Sequence, residues 1–268
     1  MLKRRETIRK RKAPDGHAGW AVVTGASSGL GEALAKDLSA AGYPVLLVAR
    51  RRERLERLRR ELEGPSDMLV LDLTERKSVE TLCAWMEHVT VSVFVNNAGF
   101  GLVGSFDKTD PEVEMNMIRL QVEAVHLLSK AAIRRMEAAD GGVLLNVASS
   151  AGLLPAGPWM SGYYACKSYV ASLTQALATE CRMRGSPVRI FCLCPGPVRT
   201  EFDRVALVKN SRPGISAQRC ADYAMRAMHG HRVLIIPGFC VRLGLLIARL
   251  TPRGLMNRLT GWFQRRKL

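Results

Sequence analysis

Thr24-Gly25-Ala26-Ser27-Ser28-Gly29-Leu30-Gly31 decides how this chain is read. The apolar run Trp20-Ala-Val-Val-Thr24 precedes it, and residues 30 to 41 behind it carry apolar side chains at helical spacing. The octapeptide is therefore a turn between a strand and a helix. Glycines at 25, 29 and 31 leave backbone N–H groups and the helix N-terminus open to a pyrophosphate, and Gly31 lets helix and strand pack closely. A glycine-rich turn can be a tight turn and nothing more, but its place on the first crossover favours a dinucleotide.

Outward from that turn, strands and helices keep alternating. Pro44 to Ala49 is a second apolar run, followed by a charged helical stretch from Arg50 to Glu63 with Leu55, Leu58 and Leu62 on one stripe. Strands are predicted at Met68–Leu73, Val91–Val95, Val143–Val147, Val188–Leu193 and Val233–Ile236. Helices are predicted around Ser78–His88, in one long piece over Pro111–Ala138, and over Tyr163–Arg184. Seven strands joined by crossovers imply an α/β fold, a Rossmann-like doubly wound parallel sheet with helices on both faces. Residues 1–18 read as a basic tail, 19–237 as one nucleotide-binding catalytic domain, and 238–268 as a basic amphipathic extension packed on it.

Composition narrows the function classes. A chain of 268 residues with 47% hydrophobic content can bury one large core. The net charge of +16 gathers at the ends, with Lys3, Arg4, Arg5, Arg9, Lys10, Arg11 and Lys12 in front and Arg265, Arg266 and Lys267 behind. Such a field attracts anions, which points to a phosphate-bearing cofactor first, a membrane surface second and nucleic acid last. Seven cysteines form no Cys-x-x-Cys and no zinc spacing, so no metal site is expected. They read as small buried hydrophobes in a reducing, cytoplasmic setting. The basic N-terminus runs into Ala13-Pro14-Asp15-Gly16 instead of an apolar core, unlike a secretory signal.

The end of the second strand bears on which dinucleotide is bound. An acidic residue there would accept from the ribose hydroxyls of NAD, but Ala49 is followed by Arg50, Arg51 and Arg52. A cation pairs with the 2′-phosphate of NADP(H), and Arg50 is the expected contact, with its neighbours opening a solvated helix. Tyr163 and Lys167 lie four apart on a helix and can converge on one spot. A lysine charge about 4 Å from a phenol, at an effective dielectric of about 20, is worth about 4 kcal/mol. That would lower the phenol by about 3 pKa units, towards the range where general acid/base catalysis works best.

Four motifs now stand in order: Thr24 to Gly31, Asp72 within Leu71-Asp-Leu73, Asn96-Asn-Ala-Gly99, and Tyr163-x-x-x-Lys167. Together they resemble the short-chain dehydrogenase/reductase (SDR) family from Trp20 to about Pro237, most closely a bacterial branch of oxidoreductases not defined by one substrate. The resemblance implies that Gly25, Ser27, Ser28, Gly29, Leu30 and Gly31 cradle the cofactor, and that Asp72 and Leu73 meet the adenine. It implies further cofactor contacts from Asn96, Ala98, Gly99, Tyr163 and Lys167. Pro195, Gly196, Val198 and Thr200 are expected to cover the nicotinamide. Tyr163 would be the proton donor and Lys167 would hold the nicotinamide ribose.

Ser150 lies thirteen positions before Tyr163, where the family keeps its catalytic serine, and only that interval prefers it to Ser149. Tyr164 rivals Tyr163 but points about a quarter-turn away from Lys167 and reads as packing. One position departs from the family pattern: Gln121 stands where an asparagine usually holds a water on the proton path to lysine, and Asn116 is five residues away. Glutamine carries the same amide on a longer stem, so turnover is expected to survive with a displaced water.

Phe100, Leu102, Val103, Leu153, Leu154, Trp159, Met160 and Phe202 are expected to wall the site, which suits a hydrophobic ketone, aldehyde or secondary alcohol. Beyond Pro237, Leu243, Leu246, Ile247 and Leu250 form one helical stripe and Leu255, Leu259, Trp262 and Phe263 another, interleaved with arginines. That segment is too short and charged to span a bilayer, and suits either an anionic membrane interface or packing on the pocket or a partner subunit. By resemblance a homodimer or homotetramer is expected, through the helices after Pro111 and Tyr163. Three classes of function compete: an NADP(H)-dependent oxidoreductase, a weakly catalytic NADP(H)-binding regulator motivated by Gln121, and a membrane-surface-binding protein. The first accounts for the most residues.

Overall fold

In a computed structural model, residues 19–206, 208, 214–266 and 268 are described; the basic tail over 1–18 lies outside them. Strands β1 (Trp20–Thr24), β2 (Val45–Ala49), β3 (Ser66–Val70), β4 (Val91–Asn96), β5 (Gly142–Val147), β6 (Val188–Leu193) and β9 (Leu234–Ile235) form one sheet. Its order is β3-β2-β1-β4-β5-β6-β9, and every pairing is parallel. Two short strands, β7 (Val198–Arg199) and β8 (Ile215–Ser216), pair apart from it.

Alternation along the strands builds a core on each face. Ala21 and Val23 of β1 and Val45, Leu47 and Ala49 of β2 face α1 (Gly29–Ala40), α2 (Arg52–Glu61) and α8 (Ala217–Ala227). Val22, Leu46, Val48 and Phe94 face α3 (Arg76–Glu87), α5 (Val125–Ala138) and α6 (Ser161–Met183) instead. Strands buried on both sides carry near-continuous apolar runs, which is why they were legible. The chain leaves β1 towards β2 and later returns to place β4 on β1's other side, and this reversal opens a crevice at the carboxyl ends of β1 and β4.

The single long helix expected over 111–138 is interrupted. It consists of α4 (Pro111–Ile118), a wider π turn over Arg119–Ala124, and α5. The extra residue in that turn holds Gln121 fully buried, facing the loop after β4. Short α7 (Phe202–Val205) follows β7, and the chain closes with α9 (Phe239–Leu250) and α10 (Arg253–Arg265). Among the described residues, no helix is long and apolar enough to cross a membrane.

Candidate active site

The turn after β1 is built so that no side chain fits inside it. Gly25 and Gly29 have φ of +66° and +57°, in the left-handed region. A Cβ on Gly25 would come within 2.8 Å of Ala98 Cα, and one on Gly31 would collide with the Gly25 carbonyl oxygen. Ser28 precedes α1 without capping it, so the first-turn N–H groups of the helix keep no side-chain acceptor there. A bare turn ending in an uncapped helix N-terminus fits a dinucleotide pyrophosphate.

The loop after β4 is tied to that turn by Thr24 and Asn97. Thr24 Oγ1 donates to Val95 O and accepts from the backbone N–H groups of Asn97 (2.9 Å) and Ala98 (3.1 Å), while Asn97 Nδ2 donates to Thr24 O (3.0 Å). Asn96, expected to touch the cofactor, is turned inward. Its side chain donates to Asn146 Oδ1 (2.9 Å) and Ser129 Oγ (3.1 Å) in a buried network that Asn146 extends to Thr174 (3.0 Å). The register sets Asn96 beside Asn146, on the face of β4 that also carries Phe94. Asn96→Leu should therefore cost about 1–3 kcal/mol by orphaning buried partners, lowering the thermal midpoint by about 2–4 °C per kcal/mol without a change in substrate KM.

At the end of β2 two arginines take different partners. Arg50 Nη1 lies 3.3 Å from Asp72 Oδ2, so the expected phosphate contact is paired with the residue expected at the adenine. Arg51 reaches the glycine turn instead, donating to Ser27 Oγ (2.9 Å) and Ser28 Oγ (2.8 Å). Burial works to raise the Asp72 carboxyl, but hydrogen bonds from Thr74 and the charge of Arg50 outweigh it and hold it below the usual range.

Glu201, which sequence reasoning did not single out, closes over this corner. It accepts from Arg54 at 2.7 and 3.0 Å, from Arg51 at 2.9 Å and from Arg204 at 2.9 Å. Those cations hold its carboxyl down at about 2, the Arg54 hydrogen bonds first. A cavity of about 540 Å³ lies beside it, lined by Ser28, Gly29, Arg54 and Thr200 among others. Thr200 stands directly over the turn, since a Cβ on Gly29 would meet its Cγ2 at 2.8 Å.

Helix α6 presents Tyr163 and Lys167 on one face, both buried, with the lysine Nζ 5.9 Å from the phenol ring centre. The hydroxyl that hydrogen-bonds the Tyr163 phenol is that of Ser149. The structure thus brings Ser149, rather than the expected Ser150, to the phenol. Ser149 ends the extended chain after β5 and caps the following 3-10 turn by accepting from Ala151 N (3.1 Å). Ser150 is already inside that turn, its N–H bound to Pro195 O at 2.8 Å. Ser149 lies 14 residues before Tyr163.

The electrostatics also differ from the expectation of a lowered phenol. Burial pushes the Tyr163 phenol up to about 12, with the Ser149 hydrogen bond opposing it. Burial likewise lowers Lys167 to about 8, and its ammonium is spent on Val147 O at 2.9 Å. A desolvated lysine whose proton is directed at a carbonyl cannot supply the full charge effect of a free cation. The phenol is thus protonated at neutral pH in this state.

Gln121 Nε2 donates to Phe100 O at 2.8 Å, and its Oε1 is buried without a protein partner, lying where a Cβ on Gly99 would meet it at 2.9 Å. It braces the Gly99–Phe100 loop; Asn116 accepts from Arg119 (3.0 Å) and does not replace it. Of the expected apolar walls, Phe100, Val103, Leu154, Met160 and Phe202 gather round Tyr163 and Tyr164. Leu153 joins a separate cluster with Val125 and Val170, and Leu102 lines a second cavity of about 550 Å³ together with Arg50 and Asp72. Tyr163 lines neither cavity, and the Phe202 ring packs against it at 5.3 Å. Tyr164 packs as expected, its hydroxyl bound by Gln264 of α10. Among the described residues no group of side chains could hold a metal ion.

A family model described as short chain dehydrogenase matches residues 19–209. The chain is 34% identical over 185 residues to a galactitol 2-dehydrogenase (L-tagatose-forming) of Cereibacter sphaeroides, with 68% of this chain and 72% of that protein covered. It is 29% identical over 211 residues to a very-long-chain 3-oxoacyl-CoA reductase of Anas platyrhynchos, with 74% of this chain covered but only 65% of the duck protein's length. A solved short-chain dehydrogenase from Sphingobium yanoikuyae in complex with NADPH superposes with a TM-score of 0.77 at 27% identity, covering 88% of this chain and 94% of that one. With its parallel sheet, glycine turn and Tyr163–Lys167 helix face, the chain belongs to the short chain dehydrogenase family, oxidoreductases of CH–OH and carbonyl groups whose fold binds a nicotinamide dinucleotide.

Proposed function

We propose that this protein is an NADP(H)-dependent reductase of apolar ketones or aldehydes, acting also on the corresponding secondary alcohols. The observation that carries the reading is the phenol of Tyr163, held between the Ser149 hydroxyl and Lys167 beneath an apolar lining. When bound, the dinucleotide supplies or accepts the hydride. Tyr163 donates its proton to the carbonyl oxygen, and Ser149 hydrogen-bonds the same oxygen as its negative charge develops. Lys167, fixed by Val147 O, positions the cofactor ribose.

Preference for the phosphorylated dinucleotide rests on Arg51 and Arg50 at the end of β2, with no carboxylate between Val45 and Arg52 to accept from ribose hydroxyls. Arg51 is the stronger candidate because its guanidinium already spans Ser27 and Ser28. A charge-assisted pair is worth about 1.5–3 kcal/mol, so Arg51→Ala should weaken NADPH binding by about ten- to a hundredfold. NADH binding should change by no more than about twofold. Quenching of tryptophan fluorescence on titration of each dinucleotide checks this; equal losses for both would remove Arg51 from the phosphate site.

The lining of Phe100, Val103, Met160 and Phe202 suits an apolar substrate, and it is this lining, not the similarity to any one relative, that favours such a substrate over a polyol. Residues 19–237 form the catalytic domain in this reading and 238–268 an extension on it. A homo-oligomer through the α4–α5 and α6 helices is supported by Met115, Ile118 and Met183, which are exposed there. Free cysteines throughout the described chain suit a reducing cytoplasmic setting.

A further inference from the structure

Helices α9 and α10 carry their apolar side chains on the wrong side for a packed surface. In α10 the residues turned towards the body are Thr260 and Gln264, the first bound to Met256 O and the second to the Tyr164 hydroxyl. Leu255, Leu259 and Trp262 face outward, at the spacing of one helical stripe. In α9 only Ala248 is buried, while Phe239 and Leu250 are 73% and 79% exposed and Leu243, Leu246 and Ile247 are exposed between them. A helix apolar on its outer face is stable only against something that covers that face.

The charges around these stripes choose the occupant. Arg242, Arg249, Arg253, Arg258, Arg265 and Arg266 are all exposed, and no acidic residue follows Asp222 in the sequence. Arg266 stacks on the Trp262 ring at 3.6 Å, placing a cation beside the outward aromatic. A second copy docking through this face about a twofold axis would bring the same arginines together with no carboxylate to meet them. An anionic phospholipid surface meets both features at once, taking the leucines and tryptophan into the acyl boundary and the arginines at the headgroups. Helices of 12 and 13 residues broken at Pro252 can lie in that interface but not cross it.

We propose that α9 and α10 form a peripheral docking surface for anionic lipid bilayers. It adjoins the catalytic cleft, because α10 holds Tyr164 next to Tyr163 and Gly261 packs against Pro158. The proposal does not depend on turnover and is read separately from it.

The test is flotation of the full-length protein with vesicles of phosphatidylcholine, with and without phosphatidylglycerol. Binding is expected only with the anionic lipid, falling about tenfold or more in about 0.5 M salt. The variant L246E/L250E should lose binding by about tenfold or more while keeping its thermal midpoint, since both side chains are solvent-exposed. Tryptophan emission should shift to the blue on binding, and Trp262→Phe should remove the shift. Three results would overturn the proposal: no flotation of the folded wild type, flotation untouched by L246E/L250E, or a solution dimer that L246E/L250E dissolves. The last would give the face to a second copy.

Discussion

Replacing Tyr163 by phenylalanine is expected to reduce turnover by about 10²–10⁴-fold, the range a single general acid contributes. The ring itself should stay in place, because Phe202 and Tyr164 pack on it and the hydroxyl is the only group removed. Cofactor affinity should then change by no more than about twofold, so the loss falls on kcat. Wild type and variant differ in pH behaviour as well. Burial raises the phenol to about 12, so carbonyl reduction has its proton available throughout the neutral range and gains nothing from Tyr163 as pH rises. Alcohol oxidation needs the deprotonated phenol, and its rate should climb with pH across about 7–10 in the wild type but not in the variant. A reduction profile that collapses between about pH 6 and 7 would mean that another group donates the proton.

The second large effect separates two adjacent serines. Ser149→Ala removes the hydroxyl that meets the Tyr163 phenol, and with it the donor to a developing oxyanion, for an expected loss of about 10²–10³ in kcat. Ser150→Ala removes a side chain whose backbone, not its hydroxyl, carries the bond to Pro195, and kcat should stay within about threefold. Steady-state rates of the two variants side by side, with thermal midpoints to confirm folding, read the difference. The opposite ranking would restore the thirteen-residue interval as the better guide.

That pair shows why some of the site was legible and some was not. The seven strands, the glycine turn and the Tyr163–Lys167 face depend on local periodicity, which a sequence carries openly. The serine was assigned by counting through a loop, and one residue more between Ser149 and Tyr163 moves the count without moving the hydroxyl. Asn96 was assigned from its motif, whereas alternation along β4 already sets it on the side of Phe94, towards α5. The π turn at Arg119–Ala124 leaves helical spacing on both sides intact, so the long helix read as continuous. Glu201 and Arg51 are 150 positions apart, and only the folded chain brings that carboxylate to the Arg51 corner beside the glycine turn. The raised phenol was hidden for the same reason: spacing on a helix gives proximity, not burial or the partner that Lys167 takes at Val147.

The central claim, reduction of an apolar carbonyl by NADPH with Tyr163 as acid, is tested most directly by NADPH consumption against a panel of apolar ketones and aldehydes. NADH and the Tyr163→Phe variant run in parallel. Turnover with NADPH, turnover with NADH lower by about tenfold or more, and loss of activity in the variant are the predicted results. NADPH binding without turnover of any apolar carbonyl, or turnover that survives loss of the Tyr163 hydroxyl, would contradict it.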